Sequence, residues 1–329
     1  MEINQAKNIL VIRLSSLGDV LLTTPLVRSI KKLHNDVSLD FIVQKEFFEV
    51  YQHNPSINNC FLYNKSERSL ISIDAFQLAK YDLIIDLQNN RRSKEIYKEF
   101  SGNVLRFKKS SIKKFLLVNA KINLLEESVQ IPERYAAAIK GIKLDSEGLE
   151  IFGITNKKIL NNFEKNIIGI CPGSRHFTKM WPIEYFKEIS DLLISNGFEV
   201  ALLGGNDDRE IVDKIIESNK QIIDFTTNND LLKTADNIAQ CRLLLCNDSG
   251  LMHLASSVQT PLIAIFGSTV REFGFTPYKC KNLVLENNSL SCRPCSHIGK
   301  SYCPKKHFKC MIEIKPQYVF EKIKEMLID

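Results

Sequence analysis

Apolar runs of strand length recur along the whole chain, and amphipathic helical segments separate them. In the first half, Asn8–Leu14, Val37–Val43 and Tyr81–Leu87 read as buried strands and Val20–Leu33 as a helix. In the second half, Ile167–Cys171, Phe198–Leu203, Gln221–Phe225, Arg242–Cys246 and Pro261–Phe266 read as strands, with helices over Ile183–Ser195, Asp207–Ser218 and Gly250–Ser257 between them. Apolar strands alternating with helices predict parallel sheets covered on both faces. Two such blocks in 329 residues predict an α/β protein of two Rossmann-like, doubly wound domains. A polar stretch holding Asn156, Lys157, Lys158, Asn161 and Asn162 puts the boundary near Gly153–Lys165. The expected domains are therefore 1–155 and 166–315. Residues 316–329, with a helix over Gln317–Leu327, form a C-terminal element for which packing back on the N-terminal domain is one arrangement.

The same pattern excludes several classes. No apolar run approaches the roughly 18 residues of a membrane span. A hydrophobic content of 44% with 25% charged residues excludes disordered and fibrous chains. Residues Met1–Asn8 lack the basic start and apolar core of a secretory signal. The nine cysteines are therefore expected as reduced thiols of a cytoplasmic protein. No G-x-G-x-x-G follows a strand and no G-x-x-x-x-G-K-[ST] occurs, which weakens the dehydrogenase and P-loop readings.

Net charge is +6, but it is concentrated. Between Arg91 and Lys121 ten basic residues face only Glu95 and Glu99, a local +8 that leaves the rest of the chain at −2. Such a segment attracts phosphates or carboxylates, or simply solvates a surface. It carries few aromatics and no nucleic-acid-binding motif, so no nucleic-acid partner is expected.

In open α/β sheets ligands bind at the carboxyl ends of strands, so the loops there were read for chemistry. Ser15-Ser16-Leu17-Gly18-Asp19 follows the first strand. Gly18 permits close approach of a ligand, and Asp19 is either a helix N-terminal carboxylate or an acid that meets substrate. Cys171–Pro182 follows a second-half strand, and its Gly173, Ser174, Arg175 and Lys179 offer amides, a hydroxyl and two cations for phosphate. Gly204 and Gly205 allow close backbone approach, while Asp207 and Asp208 fit a helix N-terminus. In Cys246–His253, Asp248 or Ser249 can cap a helix, the amides of Ser249, Gly250 and Leu251 can face an anion, and His253 shares a face with Ser249. Phe266-Gly267-Ser268-Thr269 ends another strand. Together the second-half loops suit a nucleotide diphosphate.

These residues carry a resemblance. Arg13-Leu-Ser-Ser-Leu-Gly-Asp19-Val-Leu-Leu-Thr-Thr-Pro25, Pro172-Gly-Ser-Arg-His-Phe-Thr-Lys179-Met-Trp181-Pro182 and Asn247-Asp-Ser-Gly-Leu-Met-His253-Leu-Ala255 resemble motifs of glycosyltransferase family 9, the ADP-heptose:lipopolysaccharide heptosyltransferases. The match covers nearly the whole chain in the family's order. It implies a GT-B fold with an interdomain cleft and inverting, metal-independent transfer of heptose from ADP-heptose to Kdo-lipid A or heptosyl-Kdo-lipid A. By similarity Asp19 is the catalytic base. Ser174, Arg175, Lys179, Asp248, Ser249, Gly250, Leu251 and His253 hold the donor, and Ser16, Gly18, Gln88, Arg91 and Arg92 the acceptor. The implied partners are the nucleotide sugar, an anionic lipid acceptor and the cytoplasmic face of the inner membrane, with no cofactor required. A GT-B enzyme using another nucleotide sugar, or a non-catalytic binding protein, would share the architecture.

One feature stands outside the resemblance. Cys292-x-x-Cys295 is followed by Cys303 and Cys310, with His297 and His307 between, a spacing that permits a structural zinc site. The alternative is a set of reduced thiols in an ordered loop.

Overall fold

The structure, a computed structural model, describes residues 3–71, 76–125, 129–155, 166–227 and 230–328. The chain divides into two compact units: 1–110 with 129–153, and 111–128 with 154–329.

In the first unit, β1 (Asn8–Ile12), β2 (Ser38–Gln44), β3 (Asn59–Asn64), β4 (Ser69–Ile71), β5 (Leu83–Asp86) and β6 (Asn103–Arg106) form a sheet of order β4-β3-β2-β1-β5-β6. It is parallel except for the β3–β4 pair. In the second, β7 (Ile167–Cys171), β8 (Glu199–Leu202), β9 (Ile223–Asp224), β10 (Leu243–Asn247), β11 (Leu262–Phe266) and β12 (Asn282–Glu286) form an all-parallel sheet of order β12-β11-β10-β7-β8-β9. The doubly wound expectation is met in both units. The strand order reverses at β1 in one sheet and at β7 in the other, and such switch points are where the connections diverge and leave a crevice. Topology alone therefore places the loop after β7 beside the loop after its neighbour β10.

The central strands are buried on both faces, with Ile9–Ile12, Leu243–Cys246 and Leu262–Ile265 fully enclosed. This is why they read as continuous apolar runs. Strands β3, β6 and β12 lie toward sheet edges and mix polar with apolar residues, so periodicity did not reveal them.

Helices of the first unit are α1 (Leu17–Leu21), α2 (Thr24–Leu33) and α3 (Arg91–Ile96). Next come α4 (Ser111–Ala120), in the second unit, and α5 (Ile131–Ala136), in the first. The second unit continues with α6 (Ile183–Ser195), α7 (Arg209–Ile216), α8 (Leu231–Gln240), α9 (Gly250–Ser257), α10 (Lys309–Ile312) and α11 (Pro316–Ile328). The single helix expected over Val20–Leu33 is two. Pro25 lies in the first turn of α2, where it costs no hydrogen bond, and Thr23 Oγ1 donates to the Val20 carbonyl to close α1.

Two further expectations are corrected. Residues 111–125 belong to the second unit: Leu117 and Leu125 pack with Val270 and Phe273. The C-terminal helix α11 also stays on that unit, burying Val319, Phe320 and Ile323 with Phe186, Ile189 and Leu193 of α6. Of the expected boundary stretch, 156–165 lie outside the described residues.

A buried ion-pair cluster holds α2 to the end of the first unit. The Arg28 guanidinium donates to Asp145 Oδ1 at 2.5 Å, Glu150 Oε2 at 2.5 Å and the Gly148 carbonyl at 2.8 Å. Arg28 holds the Asp145 carboxyl well below the usual carboxylate range, against the opposing effect of desolvation. Arg28→Met removes this partner while Lys32 Nζ still faces Asp145 Oδ2 at 2.8 Å, so it should destabilise the protein by about 2 kcal/mol near neutral pH in denaturant unfolding. Because the folded pKa of Asp145 is depressed, that stabilisation is complete above pH ~4 and is lost as pH falls further. The gap between wild type and variant should therefore narrow in acid; a gap constant from pH 7 to 3 would refute this account.

Candidate functional site

In the first unit, the loop after β1 is zipped to the loop after β5. Gln88 Oε1 accepts from the amides of Leu14 (3.0 Å) and Ser15 (3.2 Å), and Arg13 Nη1 donates to the Leu87 carbonyl at 2.7 Å. Asp86, fully buried, accepts from the amides of Gln88 and Asn89 and from the hydroxyls of Ser93 and Tyr97. This network shapes the turn into α3, whose N-cap is Asn90.

Asp19 stands on this platform in the first turn of α1. Its Oδ1 is 2.6 Å from Arg13 Nη2, and its Oδ2 accepts from the Ser16 amide (3.2 Å) and hydroxyl (3.1 Å). Asp19 is thus both the helix N-terminal carboxylate and a half-exposed acid at a switch point. Desolvation opposes the charge on buried Arg13, but Asp19 outweighs it and raises the guanidinium's pKa. Asp19 and Ser16 are brought together directly, with buried Gly18 between them. Arg91 is exposed and Arg92 half-buried, both on the first turn of α3. Gln88 differs from expectation: it is buried and its carbonyl oxygen is committed to the β1 loop, so it positions that loop.

The basic segment is divided between the two units. Lys109 is in electrostatic reach of Arg13, Asp86 and Asp19; desolvation first, then Arg13, draws its ammonium below the ordinary lysine value. Lys113, Lys114 and Lys121 belong to the second unit. There Lys114 lies 5.3 Å from the Phe275 ring centroid, and Lys121 Nζ donates to the carbonyls of Val118, Cys292 and Pro294.

In the second unit, the loops after β7, β10 and β11 meet. Asn247 bridges two of them: its Oδ1 accepts from the Trp181 amide at 3.0 Å, and its Nδ2 donates to the Pro172 carbonyl at 2.8 Å. Trp181 packs beneath, donating from Nε1 to the Ile314 carbonyl. Lys179 Nζ lies 2.7 Å from Asp248 Oδ2, which also accepts from Thr269 Oγ1 at 2.6 Å. Thr178 Oγ1 meets Ser268 Oγ at 2.9 Å, and a Cβ at Gly267 would lie 2.6 Å from the Thr178 carbonyl, so glycine is needed there.

Ser249 begins α9 in an extended conformation without capping it by its side chain; its hydroxyl is buried with no hydrogen-bond partner among the described residues. The half-exposed Ser249, Gly250 and Leu251 offer first-turn amides. Ser174 is half-buried and Arg175 exposed. His253 is 3% exposed and packs inside, not at the opening. His176 is held below the ordinary histidine value by desolvation first and then by the charges of Lys179 and Arg175.

Sequence reasoning named three residues here without seeing what they contact. Thr269 orients Asp248, Asn247 sets the loop spacing, and Asp208 closes on Gly173, where a Cβ would lie 1.8 Å from Asp208 Oδ1. Burial raises the Asp208 pKa, and the Gly205 amide opposes it. The paired glycines facing a nearby carboxylate were the available signal.

The cysteine cluster does not take the arrangement expected for zinc. The four thiols lie within electrostatic reach of one another, but among the described residues no group of three or more His, Cys, Asp or Glu is disposed to hold a metal ion. Burial pushes the Cys310 thiol up to about 12 and the Cys295 thiol upward.

Comparison with known proteins fits this arrangement. The sequence profile of glycosyltransferase family 9 (heptosyltransferase) matches residues 74–306. Lipooligosaccharide heptosyltransferase 2 of Campylobacter jejuni subsp. jejuni is 28% identical over 327 residues, spanning 94% of this chain and 95% of that protein. The structure of the Escherichia coli ADP-heptose lipopolysaccharide heptosyltransferase II superposes with a TM-score of 0.71 at 22% identity, covering 98% of each chain. The E. coli heptosyltransferase WaaC with ADP superposes with a TM-score of 0.68 at 18% identity, over 97% of this chain and 99% of that one. The chain belongs to glycosyltransferase family 9, the heptosyltransferases, and is a glycosyltransferase of the GT-B fold.

Proposed function

We propose that the protein transfers a heptose from ADP-heptose to the inner core of lipopolysaccharide, Kdo-lipid A or heptosyl-Kdo-lipid A, with inversion and without a metal. The observation that carries the donor half is the Lys179–Asp248 pair beside the start of α9. Lys179, the free amides of Ser249, Gly250 and Leu251, and the unpartnered Ser249 hydroxyl suit a diphosphate. Ser174 and Arg175 add contacts on the β7 side. Asp248, already held by Thr269 and Lys179, is an acceptor for sugar hydroxyls and not for phosphate oxygens.

In this reading Asp19 takes the proton of the acceptor hydroxyl as that oxygen bonds to the anomeric carbon. The bond from that carbon to the diphosphate breaks, and ADP leaves with the electron pair. Lys179 and the α9 amides stabilise the charge that grows on the leaving diphosphate, the role a divalent cation plays elsewhere. Arg13 fixes the Asp19 carboxylate, while Ser16, Gly18, Arg91 and Arg92 meet the anionic acceptor. The acceptor is a lipid, so the protein works at the cytoplasmic face of the inner membrane. The relative from C. jejuni, a heptosyltransferase 2, favours addition of the second heptose.

The deciding experiment incubates the protein with ADP-heptose and defined truncated lipopolysaccharides and reads the added mass. No gain of one heptose on any acceptor, or thermal stabilisation by UDP and not by ADP, would defeat the reading. Lys179→Ala should weaken ADP binding by about ten- to a hundredfold in calorimetry, since it removes a charge-assisted contact; unchanged affinity would take Lys179 out of the phosphate site. Asp19→Asn retains the shape of the capping residue but removes the base, so turnover should fall about 10²- to 10⁴-fold while ADP affinity stays. Wild-type turnover in that variant would exclude Asp19 as base.

A further inference from the structure

Six of the ten large apolar side chains that stand most exposed among the described residues fall in two segments of the second unit. Ile112, Phe115, Ile122 and Leu124 lie on and after α4; Ile298 and Tyr302 lie in the loop before α10. The two segments are tied together. Lys121 Nζ donates to the Cys292 carbonyl at 3.2 Å and the Pro294 carbonyl at 2.7 Å, and the charge of Lys114 acts on His297.

Helix α4 is apolar on two faces. Leu117 and Val118 pack toward Phe273 and Phe275. Ile112 and Phe115, three residues apart on the other side, are 78% and 64% exposed. Just after the helix the Ile122 amide donates to the Leu116 carbonyl. A helix apolar on both faces is stable where both are covered, and this chain covers one.

Charge identifies the occupant. Within the second unit, residues 111–125 contain Lys113, Lys114 and Lys121 and no acid; residues 296–306 contain Lys300, Lys305 and Lys306 and no acid. Apolar side chains on segments that carry lysines and no acid match the boundary of an anionic bilayer, where the apolar groups enter the headgroup–acyl region and the cations meet phosphate. A second copy of the chain would set these cations against one another. The loop also braces the donor side: the Thr178 amide donates to the Lys300 carbonyl, the Lys300 amide donates to Thr178 Oγ1, and a Cβ at Gly299 would lie 2.5 Å from His176 Cβ.

We propose that α4, residues 121–125 and the 296–306 loop form an interfacial anchor that inserts Ile112 and Phe115 into an anionic phospholipid surface. Its purpose rests on the lipid acceptor proposed above; its binding does not. The full-length protein is sedimented with vesicles of phosphatidylcholine alone and of phosphatidylcholine mixed with phosphatidylglycerol. It should bind the mixed vesicles, less so at high salt, and ignore the neutral ones. The I112E/F115E variant should partition about tenfold less or weaker still, with its stabilisation by ADP unchanged because both side chains are exposed. In an F115W variant, read against the buried Trp181, emission should shift to the blue on addition of mixed vesicles. Equal sedimentation of wild type and I112E/F115E, or an F115W emission that vesicles leave unmoved, overturns the proposal, as does self-association in solution that I112E/F115E abolishes. Failure of ADP to stabilise the wild type would instead defeat the donor reading and leave the vesicle result standing.

Discussion

The side chain of Asn247 decides how the second unit's polar loops can be arranged. A central parallel strand offers no polar surface along its length, so chemistry is confined to its carboxyl end. Asn247 is the last residue of β10 and is fully buried, so its amide must find partners. It finds them in the Trp181 amide and the Pro172 carbonyl, the two ends of the loop after β7. That clamp sets the loop's span and brings Lys179 onto Asp248, the residue that follows Asn247. This loop arrangement is therefore built by one neighbour relation between β7 and β10, which the strand order guarantees.

A second constraint is charge pairing at low exposure. Arg13 with Asp19 and Lys179 with Asp248 are each mostly enclosed cation–carboxylate pairs at a sheet's switch point. Such pairs contribute little net stability, because desolvation offsets most of the Coulomb attraction. Their value is positional. Asp19 has Oδ1 engaged by Arg13 and Oδ2 by Ser16, and Asp248 has Oδ2 engaged by Lys179 and Thr269, so each carboxylate is held in one orientation, which is what a site needs before substrate arrives. Arg28 with Asp145 and Glu150 uses the same chemistry purely to hold the first unit together.

Legibility followed burial. Strands β1, β2, β5, β7, β10 and β11 were plain in the sequence because both their faces are covered; β3, next to the edge strand β4, and the edge strands β6 and β12 were not, because they carry polar residues that break the pattern. The loops of the site were legible by their glycines and hydroxyls and by their place after strands. The partners that orient the site were not. Thr269 is 21 residues from Asp248, Gln88 is 74 from Leu14, and Asn247 is 75 from Pro172, so each contact exists only through sheet topology. Gln88 shows the consequence: it follows β5 beside the β1 loop, and its carbonyl oxygen is turned inward to that loop.

Charge was the feature most altered by folding. Read along the chain, Arg91 to Lys121 is one patch; in the structure the chain leaves the first unit after Ser110 and returns to it at Val129. A run of like charges marks a single surface only if the chain stays on one body, and nothing in the run itself signals the departure. The excursion also changes what its lysines do. Lys121 satisfies three backbone carbonyls and Lys114 lies against aromatic rings, so two of the ten cations serve packing. The cations that remain outward, such as Lys113, stand next to Ile112 and Phe115, and it is this mixture of charge and exposed apolar surface that distinguishes an interfacial surface from one that is merely solvated.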